Sequence, residues 1–357
     1  MSHFLLYTDG QCPIQTCQPA DNPCLHHPFT AMPDPTPPNA RPDASSPFTD
    51  PLLPPGEIAL PDLCKRINER IAAFLAKDAE TEALRSVQKH TRIALGVIEE
   101  ALNKYSLTSL SLSYNGGKDC LVLLILYLSA LHTHKPSPTT PLQSVYIVSS
   151  HPFPEVEDFV NTSSATCSLQ LSRYNMGMKP AFTAYLQEHK DVEAIFVGTR
   201  RTDPHGEFLT HFDRTDHGWP DFMRVHPVID WHYVDIWNFI IHLQIPYCPL
   251  YDQGYTSLGG TTDTHPNPAL RRQSVSETGA PKVIFRPAYE LMADNEERLG
   301  RDWERKGAPS QATAGATGGG TREELWILDR RMILMTWMRI CFYAYTWNWK
   351  ERAKKER

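Results

Sequence analysis

The sequence predicts an α/β protein built on an open, mostly parallel sheet with helices on both faces. Short aliphatic or β-branched runs alternate, from Asp62 to about Leu243, with segments whose apolar residues recur every three or four positions. That alternation is how strands and crossover helices follow one another in a parallel sheet. A glycine pair interrupts the run SLSLSYNGGKDCLVLL, Ser109 to Leu124, which reads as a buried strand, a tight loop and a helix. The chain has 357 residues, 41% of them hydrophobic, and a net charge of −6, enough for a packed core and ordinary for a globular protein.

Taken in order, Gln11 to Pro61 is dominated by proline and small polar residues, with 14 of the chain's 30 prolines at or before Pro61. Proline fixes φ and removes a donor, so residues 1–61 are expected to form a disordered tail. The catalytic unit is expected over 62–301. Two amphipathic helices, in LCKRINERIAAFL and ALRSVQKHTRIALGVIEEALNKY, lead into the strand at Ser109. Leu121 to Leu131 is an apolar helix ended by the prolines at 136 and 141, and VYIVS, Val145 to Ser149, is the second strand. Leu169 to Ser172 and AIFVG, Ala194 to Gly198, are the third and fourth, with a helix from Pro180 to His189 between them. A helix from His232 to about Leu243 is expected to be capped by Asp230. The pattern is Rossmann-like, and such sheets bind ligands at the carboxyl ends of their strands. The Asn115 loop and the segment after Gly198 both leave such ends.

The Asn115 loop has the makings of an anion site. Adjacent glycines bring backbone N–H groups close to a ligand, and the following helix adds the positive end of its dipole. It is not a Walker A loop, because Lys118 is followed by Asp119 rather than Ser or Thr. A second block, Gly198 to Trp231, is dense in Arg, Asp, His and Trp. Trp219 and Phe222 beside Arg214 and Arg224 suit a planar, anionic ligand, since rings stack on rings and guanidinium groups hold phosphate. Arg298 and Arg301, three apart, are expected on one helical face.

Ser113-Tyr-Asn-Gly-Gly-Lys-Asp resembles the pyrophosphate loop of the ATP pyrophosphatase superfamily. Together with GTRRTDPHGE, RTDHGWPDFMRVHPVIDW, LYDQGYTSLGG and PAYELMADNEERLGR, in that order, it is similar to the eukaryotic FAD synthase family, in the phosphoadenosine-phosphosulfate reductase-like branch of that superfamily. The resemblance implies an adenine nucleotide alpha hydrolase-like fold and transfer of AMP from ATP to FMN, giving FAD and pyrophosphate with Mg²⁺. It implies that Ser113, Asn115, Gly116, Gly117, Lys118, Asp119, Gly198 and Arg200 bind ATP, with Asp119 near the metal. It places Asp203, Asp216, Trp219, Arg224, Arg298 and Arg301 with the flavin, and makes Asn115, Asp119, Asp203 and Arg298 the catalytic set. The alternatives are a reductase or sulfurtransferase relative, which would need a reactive cysteine, and a non-catalytic nucleotide-binding regulator.

Partners are expected to be the small molecules ATP and FMN, and not nucleic acid, since no basic domain stands out. Eight scattered cysteines without a CxxC pair point to a reducing, cytoplasmic setting, and the first residues lack the pattern of a secretory signal. RRQSVSETGAPKVIF, within Asn267 to Pro287, reads as an insertion, and residues 302–321 as a flexible linker. Residues 322–357 form an expected apolar, aromatic helix with a basic end, docked on the domain, meeting a membrane surface or protein partner, or, though short for it and containing Arg339, spanning a membrane.

Overall fold

The structure, a computed structural model, describes residues 46–301 except 55, 57, 135–140, 217 and 276–280. The expectations for residues 1–45, the 302–321 linker and the 322–357 helix lie outside the described residues. Ordered chain starts well before Pro61. Leu52 and Leu53 are buried, the Leu52 N–H donates to Gln244 O at 2.8 Å, and Asp50 pairs with both Arg66 and Arg70. Residues 46–54 therefore do not belong to a disordered tail. Proline blocks regular structure there, but two adjacent leucines still find a core to enter.

Two amphipathic helices come next, α1 (Leu60–Ala76) and α2 (Glu82–Lys104), the second opened by Thr81, whose hydroxyl accepts from Leu84 N–H. They pack on α3 (Lys118–His134), which is apolar around most of its circumference because it lies between them and the sheet. The remaining elements are β1 (Leu110–Ser113), β2 (Leu142–Ile147), α4 (Pro154–Thr166), β3 (Leu169–Tyr174), α5 (Met178–Glu188), β4 (Ala194–Phe196), β5 (Phe212–Arg214), β6 (Met223–Val225), α6 (Tyr233–His242), β7 (Arg271–Val275) and β8 (Pro281–Phe285).

The main sheet runs β3-β2-β1-β4-β6-β5, with every pairing parallel except β5 with β6. Side chains alternate between its faces. Leu110, Leu112, Leu142, Tyr146, Ala194 and Phe196 enter the large core beneath α1, α2, α3 and α6, while Val145 and Ile195 enter a smaller one with Phe182, Tyr185 and Phe222 beneath α5. Chain order reverses between β1 and β4, and a crevice opens at the carboxyl ends of strands on either side of such a switch point.

Three local expectations are corrected. The block from Gly198 to Trp231 is more than a loop, since it contributes β6, paired with β4, and β5 at the sheet edge. At three residues each they are too short to show a period. The α6 cap is His232, whose N–H donates to Asp235 Oδ2 at 3.0 Å, and Asp230 instead meets Arg201 Nε at 2.7 Å. Arg298 and Arg301 share no regular helix. They follow two 3₁₀ turns, Ala288–Glu290 and Asp294–Glu296. The expected insertion holds the antiparallel hairpin of β7 and β8.

Candidate active site

The loop between β1 and α3 sits over the switch point. Gly116 has φ +72° and a Cβ there would stand 2.7 Å from Val160 Cγ2, so this position needs glycine for both conformation and space. Asn115 Oδ1 accepts from Gly117 N–H at 3.0 Å, and Tyr251 OH accepts from Lys118 N–H at 2.9 Å. Across the switch point the loop after β4 comes so close that a Cβ on Gly198 would lie 3.0 Å from Cys120 N. Arg200 to Gly206 then folds into a turn in which Asp203 Oδ2 accepts from Arg200 N–H at 2.8 Å.

Between these loops lies a buried charge network. The Arg200 side chain is fully enclosed: Nε is 2.8 Å from Asp119 Oδ1, Nη2 donates to Glu297 Oε2, and Nη1 is 3.5 Å from Asp294 Oδ1. Lys118 Nζ donates to Asp119 Oδ2 at 3.0 Å and to Glu297 Oε1. Burial works against the Lys118 ammonium, but the Asp119 and Glu297 carboxylates outweigh it and hold its pKa above the usual lysine value. Burial also opposes the Asp119 carboxylate, and Arg200 and Lys118 overcome that to keep its pKa below the ordinary range. For Asp203 burial and the neighbouring Asp119 charge prevail, and its pKa is raised.

A cavity of about 420 Å³ opens beside this network. Ser113, Asn115, Gly117, Lys118, Asp119, Gly198, Asp203 and Arg298 line it. A second cavity, of about 210 Å³, is lined by Asp216, Trp219 and Arg224 among others. Met178, Phe182, Val197, Thr199 and Pro204 belong to both, so the two are neighbouring compartments of one cleft. In the second, Phe182 lies 5.3 Å from Phe222 and 6.4 Å from Trp219, centroid to centroid, an aromatic cluster at the cavity wall.

The site residues expected from sequence are thus brought together, with distinctions the sequence did not show. Gly116 faces α4 through Val160, and Lys118 and Arg200 turn their charges into the network. Arg224 is tied by its guanidinium to Asp213 O and Arg214 O, both at 3.3 Å. Arg214 pairs with Asp221. Arg301 lies behind the Ser257–Gly259 turn, donating to Leu258 O at 3.0 Å, and Arg298 Nη1 is 3.5 Å from Ser257 Oγ. Asp294 and Glu297 were missed, although both stand in the quoted stretch PAYELMADNEERLGR. An acidic residue beside arginines reads as a solvated charge cluster until its buried partners are known.

A parallel sheet whose switch point carries a glycine loop, a helix N-terminus and a deep nucleotide-sized cavity defines a nucleotide-binding enzyme of the α/β type. The family model described as the phosphoadenosine phosphosulfate reductase domain matches residues 109–184 and 168–266. A probable FAD synthase of Schizosaccharomyces pombe is 40% identical over 245 residues, covering 68% of this chain and 89% of that protein. The flavin adenine dinucleotide synthase of Saccharomyces cerevisiae is 35% identical over 236 residues, 60% of this chain and 76% of that one. The crystal structure of Candida glabrata FMN adenylyltransferase with FMN and an ATP analogue superposes with a TM-score of 0.64 at 31% identity, covering 68% of this chain and 100% of that one. The chain belongs to the FAD synthase family.

Proposed function

We propose that this protein is an FMN adenylyltransferase, which transfers AMP from ATP to the phosphate of FMN and releases pyrophosphate. The observation that carries this reading is the shared wall between a phosphate-type cavity at the switch point and an aromatic- and arginine-lined cavity at the sheet edge. Two substrates placed in adjoining compartments meet at the wall, and bringing reactants into line is the main requirement of this reaction. The FMN phosphate, with a second pKa near ~6, is already largely dianionic at neutral pH and needs no strong base to attack.

ATP is assigned to the larger cavity, its phosphates over the Asn115–Lys118 backbone and the N-terminus of α3. The flavin is assigned to the second, its ring against Phe182 and Trp219 and its phosphate directed toward Arg298. Lys118 and Arg200 act through the field and the shape of the network, since their charges are already paired within it. Mg²⁺ fits the chemistry of the donor set, since the carboxylates of Asp119 and Asp203 both line the larger cavity, Asp119 Oδ1 also facing Arg200 Nε at 2.8 Å. Such an ion takes one or two carboxylates and completes its shell with phosphates and water. When bound it would neutralise charge on the departing pyrophosphate.

The test is to incubate purified protein with ATP, Mg²⁺ and FMN and to follow FAD and pyrophosphate together. Equal amounts are expected, and Asp119→Ala should lower turnover by about 10²-fold or more, the scale for losing an electrostatic group at a reacting phosphate. Pyrophosphate without FAD would overturn the assignment of the acceptor cavity.

A further inference from the structure

Glu297 occupies a position that neither its motif nor its neighbours in sequence explain. Its side chain is 5% exposed and stands where three segments meet. Oε1 accepts from Lys118 Nζ, at the start of α3, and Oε2 from Arg200 Nη2, in the loop after β4. The main chain of the same residue is anchored as well, since Glu297 O accepts from Thr256 Oγ1 at 2.6 Å. The next residue is Arg298, which lines the larger cavity. One carboxylate therefore ties both loops of the switch point to the segment that carries Arg298 and Arg301.

We infer that Glu297 is a positioning residue for the transfer reaction, which sets Arg298 in register with the phosphate loop so that the acceptor phosphate faces the α-phosphorus of ATP. This rests on the adenylyltransferase reading. The repulsion between two buried cations at one site must be offset by neighbouring anions, and Asp119 and Glu297 each contact both Lys118 and Arg200. Asp119 belongs to the phosphate loop itself. Glu297 alone among the network's carboxylates both contacts the two cations and immediately precedes a cavity arginine.

The chemistry of the side chain makes the inference testable. Each carboxylate oxygen serves one cation, so Glu297→Gln keeps the volume but must turn an NH₂ donor toward Lys118 or toward Arg200. Glu297→Asp keeps the charge and both acceptors but withdraws them by one methylene. For the wild type and both variants, binding of FMN alone is followed by flavin fluorescence to give stoichiometry and affinity, and FAD formation gives kcat and KM. Expected for Glu297→Gln is a kcat reduced about 100-fold, with binding stoichiometry unchanged and FMN affinity within about threefold. Glu297→Asp should recover at least tenfold of that loss.

A second comparison separates positioning from stability. Arg298→Lys alone should slow turnover, and adding Glu297→Gln to it should cost far less than it does in the wild type, because the residue being positioned has already been impaired. Additive losses, a kcat for Glu297→Gln within threefold of wild type, or a loss that only follows a fall in binding stoichiometry would each overturn the inference. Should the Gln variant not fold, Glu297→Asp decides: a tenfold or greater loss of kcat with full stoichiometry supports the inference, and wild-type kcat overturns it. A wild type that makes no FAD would instead remove the underlying adenylyltransferase reading, so the two failures are distinct.

Discussion

His226 shows how a single residue can be governed by its surroundings. It follows β6 and is 1% exposed. Burial, with Arg224 nearby, pushes its pKa down to about 4. An unfolded chain protonates the same imidazole near pH ~6.5. The folded pKa is thus the lower one: the unfolded state takes up a proton first as pH falls, and stability declines from about pH 6.5 down to about 4. The full difference corresponds to roughly 3 kcal/mol. Urea unfolding at pH 7 and at pH 4.5 should show a smaller decline for His226→Gln than for the wild type, and equal declines would exclude the histidine as the cause. Asp119 and Asp203 differ in the same manner. They lie in one network, yet cations dominate around the first while burial and a like charge dominate around the second.

Elements show which parts of the fold could be read beforehand. Strands β1 to β4 and helices α1, α2, α3, α5 and α6 carry strong periods or apolar runs, and their expected places lie within a few residues of those observed. The phosphate loop was legible because Gly116 and Gly117 interrupt a strand where only a turn can follow. Strands β5 and β6 were not, because FDR and MRV, three residues each around a charged one, are too short to show an alternating apolar face. Glu297 was illegible for another reason, since its partners lie 179 and 97 residues away in the chain. The N-terminal segment provides a test at this scale. Leu52 is fully buried, and its backbone is tied to the end of α6. Leu52→Ala should cost about 2–4 kcal/mol by chemical denaturation. A cost below about 0.5 kcal/mol would show that residues 46–54 lie on the domain without stabilising it.

For the whole molecule, the question is which chemistry the cleft excludes. Burial pushes the thiols of Cys64, Cys120 and Cys167 up to about 12 and that of Cys248 up to about 11, although Cys120 lines the larger cavity. At pH 7.5 fewer than roughly one in a thousand of each would be thiolate, and the thiolate is the reactive form. Brief iodoacetamide treatment of the native protein should leave these four residues unmodified by peptide mass spectrometry and FAD formation intact. Rapid labelling of Cys120 would reopen the sulfur-transfer alternative.

The division of the cleft has a consequence for how such a protein can change over evolutionary time. The larger cavity, assigned above to ATP, is bounded by the switch-point loops and the Glu297 network, where most substitutions disturb several partners at once. The smaller cavity, assigned above to the acceptor, instead draws on Arg224 of β6, the turn between β5 and β6, and the smaller core beneath α5. Selection can therefore remodel the sheet margin, and with it the identity of the acceptor, while the nucleotide end is inherited with little change. On this plan one ancestral half-site could serve many chemistries, each distinguished by what was grown on its border.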